Sequence, residues 1–425
     1  MALDLSPFGW AGLTLSLDLH DLVRSLPTWR HLNILQDADS NSLQFPNAPF
    51  TSPTSARTGD GGPDISGSYI PGYTKGALIN SKGSYSNIYK GRRTLYKCKS
   101  LVDNRLEVSL SVAPHDIAIK ELYLNITKEE DAASPKSKHD AYEDEISAIL
   151  YEAVIHALVY KSLDRVGLSR YTPKMHEIVA EGLPPHDSPT QITAIWFCME
   201  LLNGSTMDDY LRKHVVKSTG TFTRLKNEAI LTDFLIQCAV VLHHLQTNLR
   251  FHHRDLKLNN VYQREPVAAE IRAPLILPNG VTWVPTLDLV MLDYGFSCIA
   301  CGSISRLPRS TLLGAGSWFT MDDDCCKEGR DLAQLIFSIH CHFPLADYIG
   351  PDLLTFFTRV TTATDHGRPI PILHGFTVDG HVLPGGQPVV YHNGIYHFLK
   401  RNSVDIPLCK PSVFLEELCA VRHIH

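Results

Sequence analysis

Apolar positions recur along this chain in two rhythms, one helical and one strand-like. From residue 141 to 165 they fall three and four apart, at Ile146, Ile149, Leu150, Val154 and Leu158, which gives a helix one buried face. The same spacing predicts helices over about 205–216, with Ser205 or Thr206 as the cap, and over about 225–247. Further helices are expected at 330–342, 350–360 and 411–421, the last opened by Lys410-Pro411-Ser412. Strand-like runs are Asp116-Ile117-Ala118-Ile119-Lys120, residues 192–202, Val261-Tyr262 and Val290-Met291-Leu292, and residues 77–90 read as a hairpin. Residues 94–112 look like an insertion or an extended strand pair. Residues 1–36 carry Leu13, Leu15, Leu17, Leu19, Leu22 and Leu26 at near-helical spacing, although the first four also alternate as a strand would. Ser, Pro, Gly, Thr and Asn dominate residues 37–74, a linker or tail composition, and the Gly-, Pro- and His-rich residues 363–390 read as loop. Strands early and helices late predict an α+β chain of two lobes with a cleft.

Composition narrows the class. The chain has 425 residues, 44% of them hydrophobic, enough for an extensive core, and a formal charge of -6 with no basic block. That pattern carries no nucleic-acid signature. Ten cysteines are too few for a disulfide scaffold, and Met1-Ala2-Leu3-Asp4-Leu5 lacks the features of a signal peptide. The most apolar run, from Ile195 to Leu202, is too short to span a membrane. The expectation is an intracellular protein, cytoplasmic or nuclear, with buried thiols. Cys298, Cys301, Cys325 and Cys326 could close a tetrahedral zinc site, but the adjacent pair suits chelation poorly, so ordinary thiols are the favoured reading.

The chemistry concentrates in His253-Arg254-Asp255-Leu256-Lys257-Leu258-Asn259-Asn260, followed 33 residues after Asn260 by Asp293-Tyr294-Gly295. Asp255 can orient an attacking hydroxyl and accept its proton, and Lys257 can offset charge on a transferring phosphate. Asn260 and Asp293 offer oxygen ligands to Mg²⁺, Asp293 just beyond an apolar strand. Taken singly, an Asp or Lys is a surface residue and His253 a structural histidine. Taken jointly, they are the parts needed to move a phosphoryl group from a nucleotide to a hydroxyl.

The set resembles the eukaryotic-type serine/threonine protein kinases, whose catalytic loop reads His-Arg-Asp-x-x-x-x-Asn and whose metal-binding turn reads Asp-Phe-Gly, here with Tyr294 in the aromatic place. The resemblance covers about residues 76–345. It implies a bilobal protein-kinase-like fold, with a small β-rich N-lobe and a larger, mainly helical C-lobe. The divisions it implies are an N-terminal extension at 1–75, an N-lobe and hinge at 76–202 with an insertion near 94–112, and a C-lobe at 203–425 with an insertion near 262–285. Lys120 matches the strand lysine that contacts the first two phosphates. Its partner would be Glu152 or Glu145, seven residues apart, with Glu152 favoured by the apolar residues that follow it. The phosphate loop falls on Ser81-Lys82-Gly83-Ser84-Tyr85-Ser86, where only the middle glycine of the family pattern survives, with Ile88 on the returning strand.

Met199 looks like the residue behind the adenine and Glu200 like the first hinge residue. Leu201 and Leu202 would offer backbone groups to the base. Asp208 or Asp209 would reach a ribose or cationic substrate, or be a solvated helix residue. Asp331 resembles the buried helix aspartate that holds the catalytic loop. Residues 296–328 would form the activation region, with Ser303, Ser305, Ser310, Thr311, Ser317 and Thr320 as phosphoacceptors and Arg254 as the phosphate's partner. The family's Ala-Pro-Glu triplet is missing, as in the compact kinases of large DNA viruses and the haspin-like branch. ATP and Mg²⁺ (or Mn²⁺) are the implied cofactors. Implied partners are a protein substrate and a regulatory partner at the N-terminal extension or the insertions. A small-molecule kinase of the same fold and a pseudokinase scaffold are the alternatives.

Overall fold

The computed structural model describes residues 29–31, 42–44, 69–80, 86–102, 105–123, 149, 152–153, 155–182, 192–265, 273–299, 328–365, 368–371, 373, 377–378, 381–382 and 406–424. The chain is α+β and divides into two compact units, one holding the described residues up to 153 and Lys174–Leu202, the other residues 155–173 and the described residues from Asn203 on.

The first unit is a seven-stranded sheet. Its strands are β1 (Trp29–His31), β2 (Ser42–Gln44), β3 (Tyr69–Asn80), β4 (Ser86–Val102), β5 (Arg105–Tyr123), β6 (Met175–Gly182) and β7 (Ile192–Glu200). They lie in the order β1-β6-β7-β5-β4-β3, with β2 also on β5, and every pair is antiparallel except β1 with β6. Residues 94–112, expected as an insertion or an extended strand pair, are the latter: β4 and β5 run alongside each other from Ser86↔Leu122 to Val102↔Arg105. The linker reading of 37–74 needs correction, because β2 and the start of β3 lie within it, as does the loop reading of 363–390. A three-residue strand carries no period of its own, and its partners come from far along the chain. The helix expected within residues 1–26 lies outside the described residues.

Alternation decides what each face of this sheet does. Ile117, Ile119, Val179, Ala194, Trp196 and Cys198 form a buried cluster, with Tyr73 and Tyr89 packed on it. On the same face Glu121 is fully buried and paired with Lys75 at 2.5 Å, whose ammonium lies over the rings of Tyr89 and Trp196. The pairs Ile88↔Lys120, Lys120↔Phe197 and Ala118↔Met199 put Ile88, Ala118, Lys120, Phe197 and Met199 together on the opposite face.

The second unit is mainly helical: α1 (155–164), α2 (Met207–His214), α3 (Thr221–Leu249), α4 (Arg330–His342), α5 (Pro351–Val360) and α6 (Pro411–Arg422), while the helical residues 149 and 152–153 belong to the first unit. Thr206 caps α2, its hydroxyl accepting from the Asp209 amide. In α3 every residue from Leu231 to Leu242 is buried, so this helix is wrapped on all sides and forms the core axis of the unit. By length and composition α3 could cross a bilayer, and 78% of its most apolar window is buried inside the protein.

Short strands connect the helices: β8 (Gly204–Thr206), β9 (Phe251–His252), β10 (Val261–Arg264), β11 (Leu275–Ile276), β12 (Thr282–Trp283), β13 (Leu289–Met291) and β14 (Cys298–Ile299). β10 pairs with both β13 and β8, β9 with β14, and β11 with β12. Gly204 has φ +145 and a Cβ there would lie 2.0 Å from the Gln263 carbonyl oxygen, so only glycine permits the β8–β10 pairing. Farther along, β15 (Thr362–Asp365) pairs with β16 (Arg368–Pro371) and β17 (Thr377–Val378) with β18 (His381–Val382).

Candidate functional site

Helix α3 ends at Arg250, whose left-handed conformation (φ 48) turns the chain into β9 and then into the loop 253–260. Helix α4 holds that loop at two points. The buried Asp331 carboxylate accepts the His253 amide on one oxygen and the Arg254 amide on the other, both at 2.9 Å. Two turns along the same helix, the Ser338 hydroxyl accepts the Leu258 amide at 3.2 Å. Arg254 sits at φ 65, a costly backbone state for a side-chain-bearing residue, and the Asp331 clamp fixes it there. Gly329 (φ +76) starts α4 where a Cβ would meet the Ile406 carbonyl oxygen at 2.0 Å.

Within the loop, three of the chemically singled-out residues are joined. Lys257 Nζ lies 2.7 Å from Asp255 Oδ2. Asn260 Nδ2 donates to the same oxygen and to the Asp255 carbonyl, each at 2.9 Å. Because the amide nitrogen is engaged, the Asn260 side-chain oxygen is the atom available to accept a ligand. The Asp255 carboxylate is thereby held in one orientation beside a cation, as a group that positions a hydroxyl should be.

Two hydrogen bonds tie this loop to the strand that leads to Asp293. The Leu292 amide donates to the Asn260 carbonyl at 2.9 Å. His253, fully buried, places Nε2 3.0 Å from the Leu292 carbonyl, which can only accept, so that nitrogen carries the proton. Asp293 then takes φ 64. Tyr294 is buried, with its ring 5.1 Å from His156, 5.7 Å from His253 and 6.0 Å from Phe251, and burial pushes its phenol pKa up. His252, buried beneath the same loop, has its pKa lowered, first by burial and against the pull of Asp331.

In the sheet unit Lys120 Nζ is 2.6 Å from Glu152 Oε1, and both side chains are largely buried. Glu145, the other candidate partner, lies outside the described residues, as do Ser81 and Gly83. Ser86 and Ile88 are half-buried at the start of β4, and Met199 and Glu200 end β7, also half-buried. Glu200 is tied to Lys174: its amide donates to the Lys174 carbonyl at 2.9 Å, and its carboxylate accepts the Lys174 amide at 3.2 Å. Leu202 follows in a half-exposed, non-repetitive stretch.

Asp208 is committed within its own unit, 3.1 Å from Arg212 and 2.9 Å from His342 Nδ1, and Asp209 completes the Thr206 cap. Of the cysteines weighed for zinc, only Cys298 is described, and it is buried in β14. The activation-region phosphoacceptors also lie outside the described residues. Sequence reasoning passed over Ser338, Thr172 and His156. Ser338 was the findable one, because it stands seven residues after Asp331 on the same helix face.

No family model matches the chain, and no curated protein matches it.

Proposed function

We propose that this chain is a Mg²⁺-dependent serine/threonine protein kinase with a bilobal protein-kinase-like fold. The observation that carries the reading is the joined set of Asp255, Lys257 and Asn260 on a loop clamped by Asp331 and hydrogen-bonded to the residue before Asp293. In this reading Asp255 orients a serine or threonine hydroxyl and takes its proton as the oxygen bonds to the γ-phosphorus of ATP. The bond from that phosphorus to the bridging oxygen breaks, and ADP leaves with the electron pair. Lys257 offsets the charge on the transferring group. Lys120, set by Glu152, binds the first two phosphates, and the face carrying Ile88, Ala118 and Met199 receives the adenine.

The donor set suits a hard cation. Asn260 and Asp293 offer oxygens only, and Mg²⁺ is ordinarily held by one or two such protein ligands, with phosphate and water completing its shell. Among the described residues no three His, Cys, Asp or Glu side chains gather as a self-sufficient metal cage. When bound, Mg²⁺ would neutralise the phosphate charge that these side chains leave uncovered.

The test is transfer of labelled γ-phosphate from ATP, with a generic basic protein and a panel of small hydroxyl compounds offered in parallel. Wild-type protein is expected to label serine and threonine. Asp293→Ala is expected to lower the rate at least about a thousandfold. Labelling of small compounds alone would instead support the small-molecule kinase. Nucleotide binding without any transfer would leave a scaffold, the reading favoured by the depleted glycine loop.

A further inference from the structure

The Tyr294 phenol is an addition that the chemistry of Asp293 does not by itself require. Its oxygen lies 2.9 Å from Thr172 Oγ1 and 3.2 Å from the Met291 carbonyl oxygen. The carbonyl only accepts, and a threonine hydroxyl can donate or accept, so both contacts can be satisfied at once. Thr172 is itself fully buried, and Pro173, the next residue, presents its carbonyl 2.8 Å from His156 Nε2. The His156 ring in turn packs against the Tyr294 ring. Tyr294 is thus fastened by ring and hydroxyl to the 172–173 segment. The residue just before it, Asp293, holds a left-handed backbone (φ 64), which a side-chain-bearing residue adopts uncommonly and which its surroundings hold in place.

We infer that Tyr294 is a positioning residue: its hydroxyl, bonded to Thr172 and Met291, latches the 293–295 turn so that Asp293 keeps the strained conformation that presents its carboxylate. What that carboxylate then holds rests on the kinase reading above; the latch itself does not. Phenylalanine at this position keeps the ring contacts and loses only the hydroxyl, which separates the latch from packing. It also leaves the buried Thr172 hydroxyl without this partner.

The experiment compares wild type with Tyr294→Phe, Thr172→Val and the double variant, all as the full chain. Hydrogen exchange is the first readout. Amides of residues 293–297 are expected to exchange about tenfold faster in each single variant, while those of α4 keep their protection. The double variant is expected to be no faster than Tyr294→Phe alone, since that substitution already removes the bond to Thr172. The second readout is the Mg²⁺ concentration that half-saturates phosphoryl transfer, expected to rise about fivefold or more with the KM for the protein substrate unchanged. Unchanged exchange at 293–297 overturns the latch, as does a uniform rise that includes α4. A raised Mg²⁺ requirement in both single variants supports it. If wild-type protein transfers no phosphate, the kinase reading fails and exchange alone decides the latch.

Discussion

Asp331 accepts the amides of two consecutive residues, His253 and Arg254, and so holds a loop whose backbone would not otherwise stay kinked. Removing that carboxylate leaves two buried amides without acceptors. Asp331→Ala is therefore expected to cost about 2–4 kcal/mol of stability in urea denaturation. The phosphoryl transfer proposed above should fall about a hundredfold in the protein that still folds, because Asp255 loses its fixed position. A variant with full activity would show that the clamp does not govern the site. The Lys120–Glu152 contact has the same character: a largely buried ion pair at 2.6 Å whose members are 32 residues apart. That Asp255, Lys257 and Asn260 stand close together was legible from their spacing within one short loop. The hydroxyl pair of Thr172 and Tyr294 was not, because a hydroxyl bond between distant residues has no sequence signature until its partner is known.

At the scale of elements, the helices were the legible part: those that bury one face write it as a period, and α3, buried all round, shows as a long apolar run. Helices α2 to α6 fall within a few residues of where periodicity puts them. The exceptions follow from where the pairing partners come from. β1 and β2 are three residues each and are strands only because β6 and β5 lie beside them. The Pro-containing β16 likewise depends on β15 alone. Asp233 is a further case, a carboxylate fully enclosed in α3 that accepts from Trp283 Nε1 (2.7 Å), the Thr286 amide (2.8 Å) and hydroxyl (2.5 Å), and the Leu287 amide (2.7 Å). Gln237, one turn on, donates to it at 3.1 Å. This one side chain fastens the 283–287 segment to the core helix. Asp233→Ala should strand those buried donors and lower stability by about 3–5 kcal/mol, read from the denaturation midpoint. A loss under 1 kcal/mol (about the worth of a single exposed hydrogen bond) would mean water replaces the carboxylate.

Across the whole molecule, acid should be destabilising through histidine as well as through carboxylates. His176 is lowered from its ordinary 6.5 to about 4, by burial first and then by Arg93, His115 and Lys174. His243, His244 and His252 are also lowered, each chiefly by burial. A histidine with a depressed folded pKa takes up its proton more readily once unfolded. Its contribution is therefore complete above the unfolded value near 6.5 and is lost as pH falls toward the folded value. Urea midpoints are expected to drop between pH 7 and pH 4.5, and His176→Gln should make that slope shallower. An unchanged slope would place the acid sensitivity in other groups.

By itself the sequence determined which chemical groups the chain carries, about where helices α2 to α6 run, and that the 253–260 and 293–295 motifs stand 33 residues apart. These are matters of identity and local period, which a linear chain displays directly. Only the tertiary structure showed that Glu152 meets Lys120, which helix grips the 253–260 loop, and what Tyr294 bonds to. Each of those depends on a partner brought from 32 to 122 residues away. Pairing at that range is selected by packing and by the need to satisfy every buried polar group, and neither can be read from neighbours in the chain.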